Sequence, residues 1–253
     1  MPRAPRTEVE GGIHHLTTRG DHRVALFESD VDRRAFLRRY ADVADRHRWV
    51  PLAYCLMGNH LHLVLETPEC TLGLGARDLL GDFAKVHNKR RGESGHVFQG
   101  RFNNRLVRTD TYFAQLLRYV ALNPVAAGLC GAPQQWPWSS HSALLAGRSS
   151  KLASTTRVEE LLAVWGRPPG RRYAALFSEG NPLAMKYGLS DPWAWRPPLE
   201  SLFDGASSSS AIAAAREHGY RLAEIAAHLG VHESTVSRRL RRSAASGECK
   251  KGA

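Results

Sequence analysis

From Ile13 to Pro124 the apolar positions follow two periods in turn, one of two residues and one of about 3.6. Ile13 to Arg19 alternates as a short strand, and the Gly20-Asp21 pair behind it reads as a turn. From Asp30 to His47 the period lengthens. Val31, Phe36, Leu37, Tyr40, Val43 and Ala44 form one stripe with arginines opposite, which predicts an amphipathic helix. Pro51 to Met57 and His60 to Glu66 return to strand character, separated only by Gly58 and Asn59, the length of a tight hairpin. A second helix is predicted over Leu72 to Asn88, broken between Gly92 and Gly95, with strand-like residues from His96 to Val107. A third helix should begin at the capping pair Thr109-Asp110 and stop before Pro124. Strands alternating with helices, two of them joined by a tight turn, predict an α+β fold of the ferredoxin-like kind: an antiparallel sheet with packed helices.

Residues 130–210 are rich in Pro, Trp and Ser, with two short helices expected at Thr155 to Trp165 and Arg171 to Ser178 and a linker from Trp193 to Ser210. After a helix ending near His218-Gly219, the run RLAEIAAHLGVHESTVSRRLRR has the spacing of a helix-turn-helix. Ala226 is the small packing residue, Gly230 the turn glycine and Val236 the buried β-branched residue, while Leu222, Ile225, Leu229 and Leu240 supply a core. Three parts are therefore expected: a catalytic domain over 1–147, an extension and linker over 148–206, and a helix-turn-helix domain over 207–253.

Charge adds a partner to this outline. The chain carries 35 Lys+Arg against 24 Asp+Glu, a net +11, and lysine contributes only Lys85, Lys89, Lys151, Lys186, Lys250 and Lys251. Arginine pairs bidentately with phosphate, so the bias favours a nucleic-acid partner. Cys55, Cys70, Cys130 and Cys249 stand singly, which excludes the paired spacings of zinc ribbons and thioredoxins. With no apolar run near the ~18 residues of a membrane span and no leader-like start, a cytoplasmic protein is expected.

Two segments carry candidate chemistry. In HLHLVL the alternation directs His60 and His62 to one face and Leu61, Leu63 and Leu65 to the other, so two neutral imidazoles could share one metal ion. On the third helix, Phe113, Leu116, Leu117 and Val120 form a core stripe. Tyr112, Gln115, Tyr119 and Asn123 recur on an adjacent face, which sets Tyr119 and Asn123 one turn apart. A phenol and an amide oxygen near two imidazoles suit attack on a phosphodiester, with the metal as Lewis acid and the tyrosine as nucleophile. Arg19, His22, Arg23, Arg101, Phe102, Arg105 and Arg118 lie near these motifs and are candidates for a DNA path by phosphate pairing and base stacking. In the second helix of the helix-turn-helix, Glu233, Ser234, Thr235, Ser237, Arg238 and Arg239 would face the major groove, with Arg241 and Arg242 near phosphates.

The runs TTRGDHR, AYCLMGNHLHLVLETP, GHVFQGRF, LLRYVALNPVAAGL and WPWSSHSALLAG, in this order over residues 12–147, resemble the HUH single-tyrosine transposases, and among them the REP-associated tyrosine transposases. The RGD at Arg19 to Asp21 departs from the RGN of that family. The resemblance implies a metal-dependent single-strand DNA endonuclease and strand transferase working through a 5′-phosphotyrosyl intermediate. It also implies Tyr119 as nucleophile, His60, His62 and Asn123 as ligands of Mg²⁺ or Mn²⁺, and single-stranded DNA near a hairpin as substrate, in a monomer or homodimer. The competing expectation is a non-catalytic DNA-binding regulator that keeps the fold and the helix-turn-helix. A pure binder has no need of all four residues.

Overall fold

In the computed structural model the described residues are 8–178, 199–203, 211–213, 215, 220 and 222–247, and they belong to two compact units, Met1–Ser190 and Asp191–Ala253. The elements of the first unit run β1 (Gly12–Arg19), α1 (Asp30–Arg46), β2 (Val50–Leu56), β3 (His60–Thr67), α2 (Leu72–Arg91), β4 (Asn103–Val107) and α3 (Asp110–Ala126). The sheet has the order β2-β3-β1-β4 with antiparallel neighbours, so β1 and β2 flank β3 in parallel and the expected ferredoxin-like α+β arrangement is present.

Register decides which side chains share a face. Leu16 pairs with Leu63, Thr18 with Leu61 and His14 with Leu65, and this face carries the core against Phe36 and Tyr40 of α1 and Leu72, Leu79 and Phe83 of α2. The opposite face presents His15, Thr17, Arg19, His60, His62 and Arg105, and α3 lies over it, with the Tyr119 ring 5.4 Å from that of His62.

Local signals explain most boundaries. Ser29 and Asp32 form a reciprocal capping box that opens α1, Thr109 accepts from the Tyr112 N–H at the start of α3, and Gly92, left-handed at φ 65°, ends α2. The Gly58-Asn59 hairpin closes with Met57 N–H donating to the His60 carbonyl at 2.9 Å.

Several sequence expectations need correction. Strand pairing begins only at Asn103, because 96–102 form an irregular connection that meets the chain just past β1 through the Gly20–Phe98 bridge and reaches β1 itself where Gln99 N–H donates to the Arg19 carbonyl at 2.9 Å. Helix α3 does not stop before Pro124 but runs on to Ala126; the proline falls in the last turn, where it costs one helical hydrogen bond to the Val120 carbonyl. Val31 is exposed, so the buried stripe of α1 consists of Phe36, Tyr40, Val43 and Ala44.

Residues 148–178 pack on the sheet within the first unit. Ser154 N–H donates to the Pro51 carbonyl at 2.8 Å, and the Arg157 guanidinium forks onto Glu66 at 2.8 and 3.0 Å. Two short helices there, α5 (Thr155–Leu161) and α6 (Arg172–Ala175), follow α4 (His141–Leu145). The buried Glu159 carboxylate accepts the N–H groups of Gly170, Arg172 and Tyr173, which satisfies the start of α6.

In the second unit α7 (Leu199–Phe203), α8 (Leu222–His228) and α9 (Glu233–Gly247) surround a core of Phe203, Ile212, Ile225, Ala226 and Val236, with Leu222, Leu229 and Leu240 packed against it. Gly230 turns the chain between α8 and α9 at φ 62°. The expected linker from Trp193 to Ser210, apart from α7, and the helix end at His218-Gly219 lie outside the described residues. Among the described residues no helix is long and apolar enough to cross a membrane.

Candidate active site

Three imidazoles and one phenol meet on the sheet face beneath α3. His60 and His62 leave β3 on the same side because they are two residues apart, and their ring centroids are 5.2 Å from each other. Tyr119 and Asn123, one turn apart on α3, come down over them. The Tyr119 ring stands edge-on to His62, and Asn123 Oδ1 lies 3.3 Å from His60 Nε2.

The third imidazole, His15, was not singled out from the sequence. Its Nε2 lies 3.0 Å from His62 Nδ1, and its ring is 6.3 Å from Tyr119. The available signal was the adjacent pair His14-His15 inside a strand, which alternation must divide between the two faces. His14 faces the core side, bonded to Asn104 Oδ1 at 3.1 Å, and His15 faces the site. Asn59 was also missed as a partner: its Oδ1 is 2.8 Å from His60 Nδ1, and its Nδ2 donates to the Arg23 carbonyl at 3.4 Å.

Burial keeps these rings neutral. His15 is pushed down to about 3 by desolvation and then by the Arg105 charge. His62 is held well below the usual histidine range by desolvation, with His15, His60 and Arg19 adding in the same direction. Desolvation also lowers His60; Asn123 opposes this and Arg19 reinforces it. Neutral imidazole is the form that donates a lone pair to a metal. His62 Nε2 and Asn123 Nδ2 are buried and have no hydrogen-bond partner among the described residues.

The other predicted site residues divide by position. In the β1–β3 pairing Arg19 stands opposite His60, and in the β1–β4 pairing Arg105 stands opposite His15, so both flank the histidines. His22 and Arg23 sit in a single 3₁₀ turn at φ 46° and 63°, after Gly20, where a Cβ would meet the Val24 carbonyl oxygen at 2.2 Å. His22 and Arg101 are exposed. Phe102 is partly buried against the core, and Arg118 donates to the Leu176 carbonyl with its guanidinium 5.5 Å above the Phe177 ring. Both serve packing. Tyr112 is buried near Arg105, whose charge opposes the upward push that burial gives its phenol, and Tyr119 is the tyrosine beside the histidines. In α9 Ser234 and Arg238 are exposed and Thr235, Ser237 and Arg239 half-buried; Arg241 and Arg242 lie on the same helix.

Residues 210–250 match the homeodomain-like domain family. Over 147 residues the chain is 27% identical to a Haemophilus influenzae protein named "Putative REP-associated tyrosine transposase", covering 53% of this chain and 82% of that protein. Among solved structures, one described as a REP-associated tyrosine transposase bound to a REP hairpin aligns with TM-score 0.49 at 19% identity, over 60% of this chain and 90% of its own. A second, described as a "putative transposase" from Deinococcus radiodurans, aligns with TM-score 0.33 at 20% identity, over 47% and 95%. By sequence, then, the chain is similar over 147 residues to a protein named as a REP-associated tyrosine transposase, and its residues 210–250 are similar to the homeodomain-like domain family.

Proposed function

We propose that the chain is a transposase that cleaves and rejoins single-stranded DNA through Tyr119. The observation that carries this reading is the tyrosine ring 5.4 Å from His62, a histidine whose buried Nε2 has no partner among the described residues. In the reaction the Tyr119 phenolic oxygen forms a bond to phosphorus and the bond to the 3′-oxygen breaks. The departing 3′-oxygen takes up a proton, the phenolic proton passes to solvent, and the 5′-phosphate remains on the tyrosine. Attack by another 3′-hydroxyl reverses the exchange, so no nucleotide cofactor is consumed.

The donor set fits a divalent ion, because His60 Nε2, His62 Nε2 and Asn123 Oδ1 are neutral, buried and on one side of the sheet. Mg²⁺ or Mn²⁺ held by them would supply Lewis-acid stabilisation of charge on the phosphoryl oxygens. Arg19 and Arg105, flanking the histidines, would bind phosphates on either side of the reacting one. The homeodomain-like unit would hold duplex through Ser234, Thr235, Ser237, Arg238 and Arg239, with Arg241 and Arg242 on phosphates.

Incubation of the full chain with labelled single-stranded oligonucleotides carrying palindromes tests the reading. A covalent protein–DNA adduct that forms in Mn²⁺ and not in EDTA is the expected result. Duplex binding without any adduct would favour a DNA-binding regulator.

A further inference from the structure

We propose that Asn59 and His15 are positioning residues that hold His60 and His62 in the same tautomer, with the proton on Nδ1 and a bare Nε2, that of His60 facing Asn123. The proposal rests on the metal reading above and concerns how the site is prepared before an ion arrives.

His60 is oriented from the 3₁₀ turn. The Arg23 carbonyl accepts from Asn59 Nδ2 at 3.4 Å, which leaves Asn59 Oδ1, an acceptor, facing His60 Nδ1 at 2.8 Å. A contact of that length to an acceptor needs the proton on Nδ1, so Nε2 carries the lone pair. Nε2 then faces Asn123 Oδ1, a second acceptor, at 3.3 Å. Two acceptors converging this closely in a buried place are repulsive by themselves and favourable around a cation.

For His62 the partner is His15. Their rings lie with planes 17° apart and the Nε2–Nδ1 separation is 3.0 Å, so one proton is shared out between the two nitrogens. If His15 donated it, His62 would carry its own proton on Nε2, a buried donor with no acceptor among the described residues. With His15 Nε2 as acceptor, His62 Nδ1 is the donor and its Nε2 is bare. Ligand histidines are commonly oriented in this way by the bond that the other ring nitrogen makes. Here the orienting groups are an imidazole and an amide instead of carboxylates, so no negative charge is added to a site that must accept phosphate.

Long-range ¹H–¹⁵N correlation spectra of the metal-free, ¹⁵N-histidine-labelled full chain distinguish protonated from bare ring nitrogens. The expected result is a bare Nε2 and protonated Nδ1 on both His60 and His62. In His15→Leu the His62 preference should be lost, and His15→Gln, whose amide oxygen can accept in the same place, should restore it. Asn59→Ala, in the surface hairpin turn, should release His60 alone. Mn²⁺ titration followed by electron paramagnetic resonance should show affinity falling about 10- to 100-fold in His15→Leu and Asn59→Ala and recovering in His15→Gln. A protonated Nε2 on either histidine of the wild-type protein overturns the proposal, as does unchanged tautomer and Mn²⁺ affinity in His15→Leu. If His60→Ala takes up Mn²⁺ as the wild type does, the metal reading fails and the positioning role with it, whatever the tautomers are.

Discussion

Acidification from about pH 7.5 to about pH 5 should destabilise the first unit well before its carboxylates titrate, because it buries several histidines as neutral rings. Burial holds His15 at about 3 and His141, bonded through Nδ1 to Tyr173 Oη at 2.9 Å, at about 4. The unfolded chain binds protons at the ordinary histidine value near 6.5, while these two rings stay neutral in the folded state. Their folded values are depressed, so their contribution is fully present above about pH 6.5 and is lost as pH falls from there toward the folded values. At pH 5 the difference of about 1.5 pH units from the unfolded value corresponds to about 2 kcal/mol for each ring, hence about 4 kcal/mol for the pair. His60 and His62 are shifted in the same direction and add to the loss. Urea unfolding in EDTA, followed by tryptophan fluorescence, measures this directly, since Trp49 is buried in the first unit. The pH dependence between these two conditions should shrink by about 2 kcal/mol in His141→Phe. Unfolding free energies that agree within about 1 kcal/mol at the two pH values would refute the buried-neutral assignment.

Other perturbations test separate parts of the account. His62→Ala should abolish metal-dependent cleavage while far-ultraviolet circular dichroism stays unchanged, and normal cutting in EDTA would remove the metal from the reaction. Gly75→Ala should destabilise by about 1–3 kcal/mol, because its Cβ would meet Trp49 Cζ2 at 2.2 Å; a urea midpoint equal to wild type would contradict that packing. Deleting residues 207–253 should weaken duplex binding and flatten its dependence on salt while short single-stranded target is still cut. Duplex affinity unchanged by the deletion would take that role away from the homeodomain-like unit.

The parts legible in the sequence were those set by local periodicity. The alternation in HLHLVL determined which face His60 and His62 occupy, and the i, i+4 spacing determined that Tyr119 and Asn123 share one side of α3. Ala226, Gly230 and Val236 marked the turn of the second unit because each position admits few residue types. What stayed hidden depends on partners far away in sequence. His15 becomes part of the site only when β1 pairs with β3, and nothing within its own strand distinguishes it from His14. Equally hidden is that Arg118 reaches the Leu176 carbonyl and the Phe177 ring and that Phe102 packs partly against the core. Pro124 misled for the opposite reason: its local rule is strong, but in a last helical turn the lost hydrogen bond is a small cost beside the burial of Tyr119, Val120 and Asn123.

Mapping the covalent adduct by mass spectrometry identifies the nucleophile. Tyr112 and Tyr119 lie on one helix and both are buried, so an adduct assigned to a peptide spanning both would not discriminate, whereas fragment ions between them do. A nucleotide-bearing 5′-phosphotyrosyl group is expected on Tyr119, absent in Tyr119→Phe and substantially retained in Tyr112→Phe. An adduct on Tyr112, or one that persists in Tyr119→Phe, would contradict this assignment.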